Sequence, residues 1–328
     1  MVAGLVVWFV YGTLRQSIAE FSATAIRPNP WLLFAAGVAY AAALAPMAWF
    51  WRQTLLALGQ PSGWRAVLRA YCLGHLGKYV PGKGLVVVLR TGAIRQAGGQ
   101  TAPIAASVFV ETLTMMSVGG VLACVLLTTH GDGAAEPWLA ALAAGLAVAA
   151  AAPTLPPVIR RLVRRLARVE VSPAEAQASA PANTPSAGDP LPSFAGRLTW
   201  RLLGKGWLAA ALAWTGLAGS LWLTLRSLDA GFPLTLVAAA YCLLAVTLPV
   251  VAGFLSLLPG GLLVRDGLML QLLTGVAGVA EPVALAATVL LRVVWIVSEA
   301  AACAIVEAVH RGSAGEPPEP KEPSPRTR

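Results

Sequence analysis

The chain has 328 residues, of which 57% are hydrophobic and 12% charged, with a net charge of +9 and a mean hydropathy of +0.70. These values lie far outside the range of soluble globular domains and exclude water as its main solvent. The apolar residues come in runs of the roughly 20 residues that cross a bilayer core of about 30 Å. The sequence therefore predicts an all-α, polytopic transmembrane helical bundle of about eight helices, with one or two re-entrant or broken elements.

Apolar windows between polar breaks place the predicted helices in chain order. They lie near 1–14, 31–51, 103–129, 137–157, 207–226, 233–256, 264–279 and 283–308. The first is short, but the residues before Arg15 lack the basic region and cleavage site of a secretory signal peptide, so we interpret it as a helix. The helices fall into an N-terminal membrane half, 1–158, and a C-terminal membrane half, 207–309.

Basic residues predict the orientation of the chain. The loop 159–206 between the two halves is strongly basic, whereas the loop near 130–136 holds Asp132 and Glu136 but no lysine or arginine. Because basic loops favour the cytoplasmic side, loop 159–206 is predicted to be cytoplasmic. Counting crossings from that loop places both termini in the cytoplasm and predicts a multi-pass protein of the inner or plasma membrane.

Two segments are predicted to be disordered. Residues 171–193 are rich in Ala, Pro and Ser and nearly free of large apolar residues, so they cannot bury a core. The tail 310–328 is similarly polar and proline-rich. The arginine-rich stretch 158–169 before the linker fits either an interfacial amphipathic helix or a charge cluster that sets topology.

The segment 64–98 is too apolar for a loop and too interrupted for a single helix. A continuous helix is interrupted near its middle by Gly74, Gly77, Pro81, Gly82 and Gly84. A broken segment with apolar flanks is typical of a re-entrant element, whose irregular backbone must be buried in protein or line a wet cavity. The sequence leaves open whether residues 64–90 span the membrane or only dip into it.

Cations accompany these breaks. Lys78, Lys83, Arg90 and Arg95 lie beside glycine amides, and together they form a suitable receptor for a phosphate-type anion. The run GKYVPGKG at 77–84 nearly matches a nucleotide-binding phosphate loop. That match fails because Gly84 replaces the Ser or Thr that holds magnesium, and no strand precedes it.

The second half contains a partial repeat of this segment. PGKGLVVVLRTG at 81–92 is echoed by PGGLLVRDG at 259–267. If the repeat is real, two broken elements surround one shared site near the bilayer midplane, as in many transporters. Arg265 and Asp266 are adjacent and point about 100° apart on a helix, so they need not pair with each other.

Three further charges lie inside predicted helices: Glu111, Arg292 and Glu299. Each costs about 3 kcal/mol at a helix centre unless it is paired or faces water. Arg292 and Glu299 are two turns apart on one face and can line one cavity without touching. Two compatible interpretations remain open. The charged residues pair with each other across helices and stabilise the bundle, or they line a polar cavity that accepts a lipid headgroup.

The four cysteines and three histidines have no metal-binding spacing, so neither a metal site nor another cofactor is expected. The intramembrane acids are few and isolated, and general acid–base catalysis needs a positioned base. We therefore expect no catalytic residues, although an enzyme that transfers a group to or from a lipid phosphate remains a minor alternative. A nucleic-acid partner is not expected.

At these residues the chain resembles a known family, the transmembrane region of lysylphosphatidylglycerol synthases and its stand-alone flippase-like relatives. The resemblance rests on GHLGKYVPGKG with Arg90 downstream, on LLPGGLLVRDGLML at 257–270, and on the stretch from Arg292 to Glu299. Two positions depart from the family pattern: Leu263 replaces a second glycine, and Asp266 replaces the more usual glutamate.

The resemblance implies binding, and translocation between leaflets, of an anionic or aminoacylated phospholipid or of a polyprenyl-phosphate lipid. The aminoacyl transferase domain of the bifunctional relatives is not expected, because the sequence ends soon after its last predicted helix. A non-catalytic subunit that docks a separate cytoplasmic enzyme through loop 159–206 is the alternative, and the oligomeric state is open. The predicted headgroup-binding residues are Lys78, Tyr79, Pro81, Gly82, Lys83, Arg90, Glu111, Pro259, Gly260, Gly261, Arg265, Asp266, Arg292 and Glu299.

Overall fold

The computed structural model describes residues 27–79, 84–130, 197–229, 231–256 and 264–314, with isolated positions at 11–15 and 141–161. Within these ranges the regular structure is helical and no strand occurs. The principal helices are α1 Pro30–Ala57, α2 Trp64–Gly77, α3 Gly84–Arg95, α4 Thr101–His130, α5 Trp200–Leu228, α6 Leu236–Leu255, α7 Val264–Gly275 and α8 Glu281–Ala314. The all-α fold class predicted from the sequence is confirmed.

Five of these helices are long and apolar enough to cross a bilayer: α1, α4, α5, α6 and α8. They confirm the helices predicted near 31–51, 103–129, 207–226, 233–256 and 283–308. The predicted helices 1–14 and 137–157 fall almost entirely outside the described residues, as does the predicted linker 171–193. Helix α8 continues to Ala314, into the predicted tail 310–328.

Helix α7 differs from the prediction. It covers 12 residues, Val264–Gly275, where the sequence suggested a full crossing over 264–279. At a rise of about 1.5 Å per residue it is about 18 Å long, well short of the hydrocarbon core of about 30 Å. The chain turns after Gly275, and Gly278 in this turn adopts a φ of 65°, a left-handed conformation that does not continue a helix. Helix α7 is therefore a half-length element rather than a crossing.

Helices α2 and α3 form a hairpin, which confirms the broken element predicted for 64–98. Helix α2 ends at Gly77, and α3 begins at Gly84. The two helices pack closely, since a Cβ on Gly77 would lie 3.0 Å from the Leu89 side chain. The Gln100 amide, after α3, donates a 2.8 Å hydrogen bond to the Gln60 side chain, before α2. Both ends of this first hairpin therefore lie at one face of the bundle.

Helices α6 and α7 form a second hairpin that opens to the other face. A cavity is lined by Asp229 after α5, Tyr241 in the first turns of α6, and Ala280 and Val283 around the start of α8. The chain therefore enters α6 and leaves α7 at the same face. The start of α1 lies there too, because the Asn29 amide donates a 2.8 Å hydrogen bond to the Ser227 carbonyl near the end of α5.

Helices α1 and α5 run antiparallel and form the most extensive helix contact of the described fold. Glycines on α5 allow this close approach. A Cβ on Gly216 would lie 2.6 Å from the Cβ of Ala43, and one on Gly206 would lie 2.4 Å from the Phe50 ring. Small residues let helix backbones approach within the membrane, where packing replaces the hydrophobic effect as the driving force.

The helix packing has an internal two-fold relation. If α1, α2, α3 and α4 are matched with α5, α6, α7 and α8, each substantial helix contact in one half has a counterpart in the other. Thus α1–α4 corresponds to α5–α8, and α2–α8 corresponds to α6–α4. Because α1 and α5 are antiparallel and the hairpins open to opposite faces, the relation is an inverted repeat. The sequence echo at 81–92 and 259–267 suggested an internal repeat but not its inversion.

The two faces differ in charge. We call the face where the first hairpin opens the basic face. Its described acid is Glu307, and its described basic residues are Arg52, Arg65, Arg69, Arg95, Arg197, Arg201, Lys205 and Arg311. The described charged residues at the opposite face are Arg27, Arg226, Asp229 and Glu281, whose charges cancel. The sign asymmetry is the kind that sets membrane orientation.

Candidate functional site: a charged cluster between the hairpins

A carboxylate on α8 is the centre of the candidate site. The Glu299 side chain has no solvent exposure, and its Oε1 accepts hydrogen bonds from the Tyr40 hydroxyl of α1 and the Lys78 ammonium. These three residues are far apart in sequence and are brought together by the packing of α1, α8 and the first hairpin. Glu299 is therefore part of a buried ion pair in which both donors bond to the same carboxylate oxygen.

Lys78 lies immediately after α2, where the helix stops. Its ammonium lies 3.2 Å from the Tyr40 hydroxyl and 5.1 Å from the centre of the Tyr79 ring. Its side chain is nevertheless 34% exposed, unlike that of Glu299. The ion pair is therefore open on the lysine side, because the broken backbone places this cation at the tip of the first hairpin.

The second hairpin contributes a cation from α7. The Arg265 guanidinium lies 4.5 Å from the centre of the Trp295 ring, and Trp295 stacks on Tyr40 with ring centres 4.7 Å apart. Arg265 is close enough to Lys78 to interact electrostatically with it. An arginine stacked on an aromatic face keeps its in-plane donors available for an anion.

Asp266, the next residue, forms an ion pair with Arg292 of α8. Arg265 and Asp266 thus have different partners, as expected from their different directions on the helix. We call the following residues the central cluster: Tyr40, Lys78, Tyr79, Arg265, Asp266, Arg292, Trp295 and Glu299.

The central cluster has an excess of positive charge and spare hydrogen-bonding atoms. Its three cations face two carboxylates. Among the described residues, the buried Nε of Arg265 and the buried Oε2 of Glu299 have no hydrogen-bond partner. Such atoms are costly when left unsatisfied in a medium of low polarity. The cluster can therefore still receive an anion at Arg265 and a donor at Glu299.

A second charged group, the closed cluster, lies between the first hairpin and α4 and comprises Trp51, Tyr71, His75, Arg90 and Glu111. The guanidinium of Arg90 donates to Glu111 at 2.8 Å, and the Tyr71 hydroxyl donates to the same carboxylate at 3.2 Å. Arg90 also lies 4.2 Å from the centre of the Tyr71 ring and 5.0 Å from that of Trp51.

The closed cluster is sealed from solvent. The side chains of Arg90 and Glu111 are 3% and 7% exposed. Gly74 on α2 makes room for the arginine, since a Cβ there would lie 2.6 Å from Arg90 side-chain atoms. Arg90 is therefore enclosed by protein, and its buried Nε has no hydrogen-bond partner in the described part of the chain.

The predicted site residues separate into three groups. Lys78, Tyr79, Arg265, Asp266, Arg292 and Glu299 come together in the central cluster. Arg90 and Glu111 form the closed cluster instead. Pro81, Gly82, Lys83, Pro259, Gly260 and Gly261 lie outside the described residues.

Apart from Tyr79, sequence reasoning missed the aromatic members of both clusters. Tyr40 lies in the middle of α1 and Trp295 near the middle of α8, away from the interfaces where Tyr and Trp ordinarily collect. A polar aromatic residue at mid-membrane depth is a signal that could have identified them, because its hydroxyl or N–H needs a buried partner.

Comparison with known proteins agrees with this architecture. No curated protein matches the chain. The family model described as the lysylphosphatidylglycerol synthase TM region matches residues 1–300, which is most of the sequence. The chain therefore belongs to the lysylphosphatidylglycerol synthase TM region family.

Proposed function

We propose that this protein binds the headgroup of a phosphate-bearing lipid in the central cluster and translocates that lipid between leaflets. The lipid is an anionic or aminoacylated phospholipid, or a polyprenyl-phosphate lipid. The observation that supports this most directly is the Lys78–Glu299 ion pair, which is buried on the acid side and 34% exposed on the lysine side. A charge within a membrane protein that remains accessible is typical of a substrate path.

The chemistry of the cluster suits such a headgroup. A lipid phosphate would accept hydrogen bonds from Lys78 and from the stacked guanidinium of Arg265. An ammonium on an aminoacylated headgroup would donate to the free Oε2 of Glu299. Replacing the hydration shell of the headgroup lowers the barrier to crossing in both directions, so the translocation needs no nucleotide. Net direction then comes from a gradient or a coupled partner.

The same geometry argues against a group-transfer enzyme. The three described intramembrane acids are each engaged by a cation: Glu111 by Arg90, Asp266 by Arg292, and Glu299 by Lys78. A general base must have a lone pair within reach of the proton it removes, with a pKa near the working pH. A carboxylate that already holds a cation is not positioned to accept a proton from a substrate, which disfavours that role.

We place the protein in the inner or plasma membrane, with the basic face and both termini on the cytoplasmic side. The eight described basic residues of that face support this orientation, because basic residues concentrate on cytoplasmic loops. The first hairpin then dips into the membrane from the cytoplasm, and the second dips in from the other side. Headgroups from either leaflet can reach the central cluster between them.

The test is lipid exchange by purified protein in proteoliposomes. Headgroup-labelled phosphatidylglycerol, lysyl-phosphatidylglycerol, a polyprenyl phosphate and a zwitterionic control would be compared with empty vesicles. We expect accelerated exchange of a phosphate lipid by the wild type and its loss in Lys78→Met. Lys205→Met is the matched control, because Lys205 is an exposed lysine of α5 outside both clusters.

Exchange that is equally fast in Lys78→Met and Lys205→Met would show that the central cluster is not the path. If none of the lipids exchanges faster than in empty vesicles, translocation of these lipids is ruled out. The docking role of loop 159–206 would then be the function to test, by co-purification of a cytoplasmic enzyme with the intact chain and with a chain that lacks residues 171–193.

A further inference from the structure

Helices α2 and α8 pack antiparallel along a seam that carries two ion pairs. Arg69 pairs with Glu307 at 2.5 Å near the basic face, and Lys78 pairs with Glu299 deeper in the bundle. Cys72 follows Arg69 by three residues, and Cys303 precedes Glu307 by four, so both thiols lie on the facing sides of the two helices between these pairs. Residue numbers rise along α2 as they fall along α8, so the three pairs follow one another along a single interface, which we call the charged seam.

The counterpart of the charged seam under the inverted repeat is the contact between α4 and α6. This contact is apolar and tight. A Cβ on Gly119 of α4 would lie 2.9 Å from the Val251 side chain of α6. In the described parts of these two helices no ion pair joins them, so the two equivalent seams hold together by different forces.

The ion pairs of the charged seam are partly exposed. The side chains of Arg69 and Glu307 are 29% and 23% exposed, and that of Lys78 is 34% exposed. Ion pairs that keep contact with water contribute little net stability, because separated partners recover their hydration. The Arg69–Glu307 pair can therefore separate at modest cost, whereas the deeper pair separates only if the buried acid, Glu299, receives another donor.

We propose that the charged seam is a gate of the lipid path, which the headgroup opens by competing for the cations. This inference rests on the proposed function and adds a mechanism that controls access to the lipid path. A lipid phosphate that binds Lys78 takes this cation from Glu299, and a donor of the headgroup then bonds to the open Oε2 of Glu299. The loss of the deep ion pair loosens α2 from α8. The apolar α4–α6 seam is the corresponding gate at the opposite face, and it stays closed while the charged seam is open.

The native cysteines provide the test. In full-length protein with Cys124→Ala and Cys242→Ala, Cys72 and Cys303 would be oxidised or bridged with a flexible bifunctional maleimide. We expect a cross-link to form in proteoliposomes and lipid exchange to fall by about tenfold or more, with recovery of the oxidised sample on reduction, because gate opening limits many transport cycles. A chain that also carries Cys303→Ala is the control for oxidation alone.

A second readout does not depend on transport. The rate of cross-linking would be compared in vesicles of zwitterionic lipid and in vesicles that also contain anionic or aminoacylated lipid. We expect slower cross-linking with the phosphate lipid that exchanges, because an open seam separates the thiols. Lys78→Met should abolish this difference.

These outcomes distinguish the two proposals. If the protein with free thiols exchanges no lipid, the proposed function is contradicted, whatever the cross-linking shows. Normal exchange by fully cross-linked protein overturns the gate but leaves the proposed function intact. The gate is also overturned if the thiols cannot be cross-linked, or if their cross-linking rate is the same in every vesicle.

Discussion

Two intramembrane ion pairs of the first hairpin have the same chemistry and different surroundings. Arg90 and Glu111 are 3% and 7% exposed and are enclosed by Tyr71 and Trp51. Lys78 pairs with a fully buried acid, yet it is 34% exposed itself. Arginine, with its planar guanidinium, occupies the enclosed position, and lysine, a flexible point charge, occupies the open one.

The difference distinguishes an ion pair that stabilises the fold from one whose cation can exchange its carboxylate for a ligand. A fully enclosed ion pair has no alternative partner, so removing either member leaves an uncompensated charge in a medium of low polarity. A half-open pair can exchange its partner for a ligand or for water. We therefore expect changes to the closed cluster to affect folding and changes to the central cluster to affect transport.

The largest expected effect comes from breaking the closed cluster with Glu111→Gln. The change leaves the Arg90 cation buried without its anion, which in enclosed pairs costs about 3 to 5 kcal/mol. We expect a marked loss of folded protein, measured as the monodisperse fraction in size-exclusion chromatography and as the thermal unfolding temperature in detergent.

The double variant Arg90→Met with Glu111→Met sharpens this test. Replacing both charges with apolar side chains removes the uncompensated charge, so much of the lost stability should return. Recovery with normal lipid exchange would assign Arg90 a structural role instead of the predicted headgroup contact. Recovery of folding without exchange would support the original prediction for Arg90.

Next in size is the effect of exchanging charges across the central cluster, Lys78→Glu with Glu299→Lys. The pair can still form, so the protein should fold, but the accessible charge becomes negative. We expect exchange of anionic lipids to fall by at least tenfold, since reversing the sign of a binding charge repels the phosphate. Labelled-lipid exchange measures this effect, and unchanged exchange would show that the sign of the accessible charge is irrelevant.

A smaller effect is expected for Arg265→Lys, which keeps the charge but loses the stacking on Trp295 and the forked donors. A bidentate, stacked guanidinium is not replaced by an ammonium. Exchange should fall by about three- to tenfold for phosphate lipids, with little change in stability. An equal fall for the zwitterionic control would point to altered packing instead.

The smallest effect is expected for Tyr40→Phe, which removes one of the two donors to Glu299 Oε1 and keeps the stacking on Trp295. Loss of a hydrogen bond to a charged group costs about 1.5 to 3 kcal/mol, in part offset here by Lys78. We expect a small decrease in thermal stability and about a twofold change in exchange. A collapse of folding as severe as that of Glu111→Gln would contradict the distinction between the clusters.

Most of the fold was predictable because the bilayer imposes its length on apolar runs. The five long helices followed from hydropathy, and the break between α2 and α3 followed from Gly77, Pro81, Gly82 and Gly84. Helix α7 was overestimated because its apolar residues continue past Gly275 into a turn. Hydropathy identifies residues that are stable in contact with lipid, but it does not identify where a helix ends.

The site was predictable in its residues but not in its pairing. The cost of charge in a membrane identified Glu111, Arg292 and Glu299, and the glycine breaks identified Lys78. Which cation meets which acid depends on the antiparallel packing of the two halves, and this is not encoded by local pattern. Lys78 and Glu299 are 221 residues apart, with helices of both halves between them.

That separation also determines when each ion pair can form during synthesis. Arg90 and Glu111 are 21 residues apart on neighbouring helices, so their pair can form as soon as α4 follows α3 into the membrane. Lys78 has to wait for α8, the final helix described. Membrane proteins are made vectorially from the N-terminus. During most of its synthesis the nascent chain therefore contains Lys78 without its partner Glu299. The ion pair proposed to act in transport is among the last contacts to form.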